Sequence, residues 1–316
     1  MGIFASREYP TRRPISLIAS FRRSWKTGQL KQDALDIWHR FARFGVGPAL
    51  VYCLFCLVAF ISYAFVAHVL PDYESPLSRA VLGAVGAFLL LNMLYNYVKA
   101  VTVNPGQPPE FDFSQPPGSE GKLDLAEGFR CCARCGLCKS PRSFHCVVCE
   151  RCVLKMDHHS LWICNCVGFH NHRYFLLWLL YLGACCAFVV VVFFGTLFET
   201  VLLARRTHHS FFGRQCVSLS WLFAACILAL SLCSGGVHAY FVITNQTSIE
   251  FARNYDEAVR LRGEVAKNPF DLGGTRNFQQ VFGPHDFWRF RWALSFLAKR
   301  PAGNGLQFPS LTEIVA

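Results

Sequence analysis

Four long apolar runs, residues 46–70, 80–103, 175–203 and 219–243, constrain this chain more than any other feature. Each exceeds the roughly 20 residues a helix needs to cross the hydrocarbon core of a bilayer. Helices buried in a soluble core would carry polar residues at helical period, and these runs lack that stripe. The 53% hydrophobic content of the 316 residues is concentrated in them. The expected fold is therefore an α-helical polytopic membrane protein with four transmembrane helices.

Charge orients the spans. Lys and Arg number nine in residues 1–45, eight in 104–174 and nine in 244–316, against one in 71–79 and three in 204–218. Positive residues stay on the cytoplasmic side, so both termini and the 104–174 segment are expected in the cytosol. The net charge of +11 then belongs to membrane-facing surfaces. No aromatic-basic RNA motif or helix-turn-helix pattern points to nucleic acid.

Between the second and third runs lies CCARCGLCKSPRSFHCVVCERCVLKMDHHSLWICNCVGFHNHRYF, residues 131–175. Nine of the chain's 16 cysteines fall between Cys131 and Cys166, among His145, His158 and His159. C-x2-C pairs let two thiolates grip one metal from a tight turn, and a later His/Cys pair completes the tetrahedron preferred by Zn²⁺. One partition is Cys132, Cys135, His145 and Cys152, interleaved with Cys146, Cys149, His159 and Cys166. Spacing leaves the first register open, because Cys131 and the pair Cys135-x2-Cys138 compete for it. Clustered thiols with histidines on a reducing cytosolic face argue against disulfides.

With eight ligands assigned, Asp157, His158 and Ser160 remain beside the second site. Here the chain resembles the DHHC-type protein S-acyltransferases, or palmitoyltransferases. Their C-x2-C-x9-H-C-x2-C-x2-C-x4-D-H-H-C pattern is followed from Cys132 to Cys166, which selects the Cys132/Cys135 register. Further matches are Thr247-Ser248-Ile249-Glu250, similar to the family's T-T-x-E, and residues 268–283, similar to N-x-F-x-L-G-x3-N-x2-Q-V-F-G. The matching region is roughly residues 46–283. Departures are Ser160 at the family's nucleophilic cysteine, Leu161-Trp162 for Pro-Trp, Cys164-Asn165 for Asn-Asn, and Asn104 in the tripeptide usually written D-P-G.

The resemblance implies an acyl group taken from long-chain acyl-CoA such as palmitoyl-CoA onto the active-site loop, then passed to cytosolic cysteines of membrane-associated protein substrates. It implies His158 as base, Asp157 as its partner and position 160 as nucleophile, with two structural zinc ions and with Asn277 packing the C-terminal segment onto the spans. The CoA phosphates are expected among cytosolic basic groups, with Arg142, Lys155, Arg173 or others left unassigned. An endomembrane, Golgi or ER, is expected rather than the plasma membrane. A hydroxyl is a far weaker nucleophile than a thiol, so Ser160 puts activity in question. Three accounts stay open: a replacement introduced to arrest the enzyme, a natural inactive member serving as a membrane scaffold or adaptor, or substitution by the Cys164 thiol. A membrane ubiquitin ligase would need different ligand spacing and leave Asp157-His158 unexplained; a transporter would carry ionisable residues mid-span.

The expected organisation is a basic arm (1–45), two spans (46–103), a linker and zinc module (104–174), two spans (175–243) and a cytosolic C-terminal region (244–316). The arm begins Met1-Gly2-Ile3-Phe4-Ala5-Ser6, which fits N-myristoylation at Gly2. Pro48 is expected early in the first helix, Cys53 and Cys56 as packing thiols, and Gly183-Ala184-Cys185-Cys186 as a close helix contact or as room for an acyl chain. His170 and His172 are expected as partly exposed histidines; His208 and His209 as lumenal and without a chemical role. His238 has no assigned role. The sequon at Asn245 is expected to carry no glycan in the cytosol.

Overall fold

The computed structural model describes residues 35, 37–108, 130–136, 138–199, 210–260, 268–284, 292–294, 301 and 303–309. Gly2 with most of the basic arm, most of the Pro-rich linker, His208, His209 and most of His285–Leu297, a stretch whose Trp, Phe and Arg suggest an amphipathic piece at the membrane interface, lie outside these residues.

Among the described residues, four helices are long and apolar enough to cross a membrane: α1 (Ile37–Asp72), α2 (Pro76–Thr102), α3 (His172–Leu197) and α4 (Phe211–Ile243). Between α2 and α3 the described residues form three two-stranded antiparallel hairpins. They are β1 (Arg130–Cys131) with β2 (Cys138–Lys139), β3 (Phe144–Cys146) with β4 (Arg151–Val153), and β5 (His158–Ser160) with β6 (Asn165–Val167). After α4 the described residues include two short amphipathic helices, α5 (Ser248–Arg260) and α6 (Gly274–Phe282). The fold is that of a four-span, mostly helical protein with a cysteine-rich, metal-binding region between its second and third spans.

Helix α3 is the centre of the bundle, packed along both α2 and α4. Of its most apolar stretch 44% is buried by protein, against 6% for α1, so α1 is the least enclosed of the four, packing on the core through one side that includes Val51, Leu54 and Val58. That placement corrects one expectation: Cys53 and Cys56 are exposed on α1 rather than packed. Gly183 does make a close contact, since a Cβ there would stand 3.2 Å from Ser231 Oγ on α4.

Helix boundaries differ from the apolar runs. At 36 residues α1 starts upstream of Pro48 instead of at the Gly-Pro pair. A proline inside a helix lacks an N–H and crowds the preceding turn; the π turn Ala42–Val46, closed by Gly47 N–H to Ala42 O, opens the backbone there. Helix α4 begins at Phe211 rather than near 219, because Ser210 Oγ accepts from Gly213 N (3.1 Å) and caps it. The α-helix of α3 is described from His172 to Leu197, and residues 200–203 of the third apolar run lie outside the described residues.

The hairpin region is fastened to the end of α2. Asn165 Nδ2 donates to the carbonyls of Ala100, Val101 and Val103 at 3.1–3.3 Å, and Asn171 Nδ2 to Ala100 O at 3.2 Å. These are the last-turn carbonyls that a helix leaves unpaired. Asn104-Pro105-Gly106 continues the joint: Leu154 N donates to Gly106 O and His170 N to Pro105 O, both at 3.1 Å. Gly168 lies beneath, where a Cβ would meet Val153 Cγ1 at 2.6 Å and Leu154 O at 2.9 Å, so only glycine fits.

Candidate active site and metal centres

Each metal cluster combines a turn from one hairpin with a cross-strand pair from the next. Register places His145 opposite Cys152 on β3/β4 and His159 opposite Cys166 on β5/β6. The turn Cys132–Cys135 closes on the first pair and Cys146–Cys149 on the second. The residue after each turn, Gly136 (φ 68°) or Glu150 (φ 54°), takes the left-handed conformation that folds the chain back.

In the first cluster His145 Nδ1 lies 3.7, 3.1 and 3.9 Å from the sulfurs of Cys132, Cys135 and Cys152. In the second, His159 Nδ1 lies 3.7, 3.3 and 3.6 Å from those of Cys146, Cys149 and Cys166. Thiolates about 2.3 Å and an imidazole about 2.0 Å from one ion stand roughly 3.5–3.8 Å apart at tetrahedral angles. Both clusters therefore fit Zn²⁺, with four ligands each and no position left for substrate. Of the registers open in the sequence, the structure gathers the one with Cys132 and Cys135. The side chains of Cys131 and Cys138 lie outside the described ones.

The residues left over stand together. Alternation along β5 puts His158 and Ser160 on one face and sends His159 to the other, into the metal cluster. His158 Nδ1 is 2.6 Å from Asp157 Oδ2, which leaves Nε2 for exchange with a substrate. Asp157 is fully buried. Its Oδ1 accepts from Ser248 N at 2.7 Å, and its carbonyl accepts from Ser248 Oγ at 2.6 Å. Burial alone would raise its pKa, but the His158 hydrogen bond and surrounding imidazoles outweigh that and hold the carboxyl well below its usual range. Phe175 packs on His158, Trp178 on Phe175 and Tyr97 on Trp178, the last ring donating through its hydroxyl to Trp162 O at 2.8 Å.

Ser248 is placed by a reciprocal cap. Glu250 N donates to Thr247 Oγ1 (3.2 Å) and Thr247 N to Glu250 Oε2 (2.9 Å), the capping-box arrangement at the start of α5. Glu250 also meets Arg142 in a two-pronged pair, Nε to Oε1 at 2.7 Å and an Nη to Oε2 at 2.6 Å. Arg142 is fully buried, lies against the rings of Phe270 and Phe308, and donates to the side chain and carbonyl of Asn245. Lys155, also buried, donates to the same Asn245 Oδ1 at 3.1 Å. Desolvation and then Arg142 hold the Lys155 pKa well below the ordinary lysine value.

This hub corrects the candidate phosphate ligands. Arg142 and Lys155 are internal struts, and Arg173 is buried against Tyr174. Asn245 is a linchpin that its sequon disguised: its amide donates to Phe270 O and Gln280 Oε1, and its residue sits at φ 47°. Asn277 Nδ2 donates to Ile243 O at 2.6 Å, tying α6 to the end of α4. His170 is exposed, but His172 is buried, contrary to expectation. Cys164 (φ 47°) points at the head of α1, its Sγ 3.4 Å from Arg43 O and against Gly47. His238, to which the sequence assigned nothing, lies beside Asp157 with its Nδ1 3.9 Å from Oδ2.

Among the described residues, apolar cavities open into the bundle. One, of about 260 Å³, is bounded by all four helices and includes Leu54, Met93, Leu182 and Cys185; its upper residue Met93 is one turn below Tyr97. Another, about 690 Å³, lies between α3 and α4 beneath Phe278, Phe282 and Trp292.

Comparison with known proteins adds to this geometry. The profile of the family described as DHHC palmitoyltransferase matches residues 126–255. The chain is 32% identical over 289 residues to probable protein S-acyltransferase 12 of Arabidopsis thaliana, covering 83% of this chain and 94% of that protein. It is 34% identical over 192 residues to palmitoyltransferase ZDHHC2 of Rattus norvegicus, covering 59% of this chain and 48% of the relative. With palmitoyltransferase PFA3 of Debaryomyces hansenii it shares 26% identity over 296 residues, 70% of this chain and 72% of the relative.

Proposed function

This chain belongs to the DHHC palmitoyltransferase family, and from that membership we propose that its membrane-surface loop is built for S-acyl transfer but is impaired at the nucleophile by Ser160. By family it is a protein S-acyltransferase. The observation that carries the assignment is the Asp157–His158 pair at 2.6 Å, on the same strand face as residue 160.

In this reading a thiol at position 160 gives its proton to His158 Nε2 while its sulfur attacks the acyl-CoA thioester carbon. The new S–C bond forms as the bond to the CoA sulfur breaks, and CoA leaves as its thiol with the proton from His158. The same exchange, run toward a cysteine of a protein substrate, delivers the acyl group. Asp157 keeps the Nδ1 proton on His158 and stabilises the imidazolium. Bound zinc would supply no Lewis-acid step; the two clusters would fix the hairpins on which these groups stand. The four-helix cavity beneath Met93 supports an acyl-chain chamber, with Cys185 on its wall.

A serine hydroxyl is not ionised at neutral pH, and the oxygen ester it would form is a poorer acyl donor than a thioester. Cys164 does not repair this, since its sulfur is turned toward α1. The second reading, a membrane scaffold without turnover, is favoured by the same residue. Acyl uptake from labelled palmitoyl-CoA decides between intact and failed machinery. The chain itself should show little hydroxylamine-sensitive label, and Ser160→Cys should gain about a hundredfold or more. No gain in a zinc-loaded Ser160→Cys protein would remove the active-site assignment.

Topology belongs to the same proposal: both termini, the hairpins and α5 face the cytosol, where protein cysteines and acyl-CoA are available. The apolar face of α5 supports this placement. Phe251, Tyr255 and Val259 are exposed in a row, and Phe251 packs on Tyr240 and Phe241 at the end of α4, continuing its lipid-facing side. In sealed microsomes an epitope tag at either terminus should be digested from the cytosolic side. Protection of one terminus would reverse the assignment.

A further inference from the structure

Asp157 has more imidazole around it than the proposed chemistry uses. His238, from the last two turns of α4, is buried between the rings of Phe175 (5.1 Å between centroids) and Phe241 (5.8 Å). Its ring lies 5.6 Å from that of His158, and its Nδ1 faces the oxygen that His158 already engages, at 3.9 Å. That nitrogen is buried and has no hydrogen-bond partner. A buried polar atom ordinarily has one. Closing the gap by about 1 Å would make a hydrogen bond to Asp157 Oδ2, and active-site bonds are often long in the free protein and tighten with substrate.

We propose that His238 is a positioning residue that carries its proton on Nδ1 and acts as a second imidazole donor to Asp157 from the membrane side. Asp157 then has three directional donors: Ser248 N on one oxygen, His158 and His238 on the other. Three donors from three elements (α5, β5 and α4) fix the carboxylate in position, and so aim the His158 ring toward residue 160. His238 touches Phe175, which in turn packs on His158 and Trp178, so it stands where the helices and the hairpin loop meet. A metal ion held by Asp157, His158 and His238 is the competing use of this cluster. It is disfavoured because both carboxylate oxygens are already engaged by protein donors.

The inference rests on the Asp157–His158 pair being the acid–base unit, and two measurements keep the two claims separable. The first uses the chain with Ser160, zinc-loaded in nanodiscs and labelled with ¹⁵N-histidine. The His238 nitrogen shifts should report a proton on Nδ1, and His238→Phe should displace the His158 Nδ1–H resonance while His238→Asn restores it. A proton on Nε2 with bare Nδ1 overturns the proposal. The second uses the Ser160→Cys background. There His238→Phe, which keeps the ring packing, should slow acyl-enzyme formation about tenfold with the half-saturating acyl-CoA concentration unchanged, and His238→Asn should recover most of the rate. Full rate in His238→Phe would make the ring mere packing and overturn it. A third zinc per chain, lost in the His238 variants, would overturn it in favour of metal ligation. If the Ser160→Cys parent takes up no acyl group, that failure falls on the functional assignment, and the nitrogen shifts still decide the role of His238.

Discussion

Purified protein should carry two zinc ions per chain, and stripping them should unfold the hairpin region while the helical bundle persists. Structural zinc sites in small domains contribute an apparent 10–16 kcal/mol or so at neutral pH, which exceeds or rivals the roughly 5–15 kcal/mol net stability of an ordinary domain. The hairpins are tied at their margins to α2, α5 and Asn245, but have little within themselves to replace the metal. Each sheet has two strands of two or three residues, and the core within them comprises Cys146, Val153, Met156 and Cys166 with a few partly buried neighbours. The two clusters should fail differently. Cys166→Ala should free the β5/β6 hairpin carrying His158 and Ser160. Cys135→Ala should loosen β1–β4 first, since the His145–Cys152 pair belongs to that part. Metal analysis with limited proteolysis checks this; a fold that survives chelation with its proteolytic pattern unchanged would mean the thiols are only packed.

Replacing Arg142 should be the most damaging change outside the metal ligands. Breaking a buried ion pair by removing one partner costs about 3–5 kcal/mol, because the remaining charge is left without compensation. Arg142→Met strips Glu250 of both its charged hydrogen bonds and Asn245 of two donors. It reaches the site as well, because Glu250 caps α5 and α5 presents Ser248 to Asp157. Arg142→Lys should recover little, since one ammonium cannot reproduce the paired geometry. The double variant Arg142→Met/Glu250→Leu should regain part of the loss, as paired removal leaves no orphaned charge. Thermal unfolding in detergent compares the three; an Arg142→Met protein as stable as the parent would show that the pair contributes nothing.

The same pair sets a pH dependence. Burial alone would raise the Glu250 pKa, but the Arg142 charge and hydrogen bonds outweigh it, so the folded value lies below the ordinary glutamate value. The stability it contributes is therefore full above the unfolded carboxylate pKa, near 4.3, and is lost as pH falls through the folded value. Arg142→Met should abolish that acid-side slope.

That the region between the second and third spans binds metal was readable from C-x2-C turns among histidines, but spacing left the first register open among Cys131, Cys132, Cys135 and Cys138, and the resemblance to the family chose Cys132 and Cys135. The four spans were readable too, since the bilayer demands about 20 apolar residues whatever surrounds them. The ends were not. Pro48 marks a place where a helix can start, yet a π turn carries the helix through it, and Ser210 starts α4 earlier than hydropathy indicates.

What only tertiary structure decided is how distant segments share one carboxylate and one guanidinium. Arg142 and Lys155 read as charges available to phosphate, but both are buried, Arg142 beneath the rings of Phe270 and Phe308 and Lys155 beneath that of Phe308. Asn245 reads as a sequon and proves to be a hub, and His238 reads as an isolated imidazole in an apolar helix until α4 meets β5 at Asp157. Spacing along a chain encodes which residues can grip one metal from adjacent turns. It does not encode which buried polar atoms, some 80 or 100 positions apart, must find each other, because that follows from packing the helices and desolvating what lies between them.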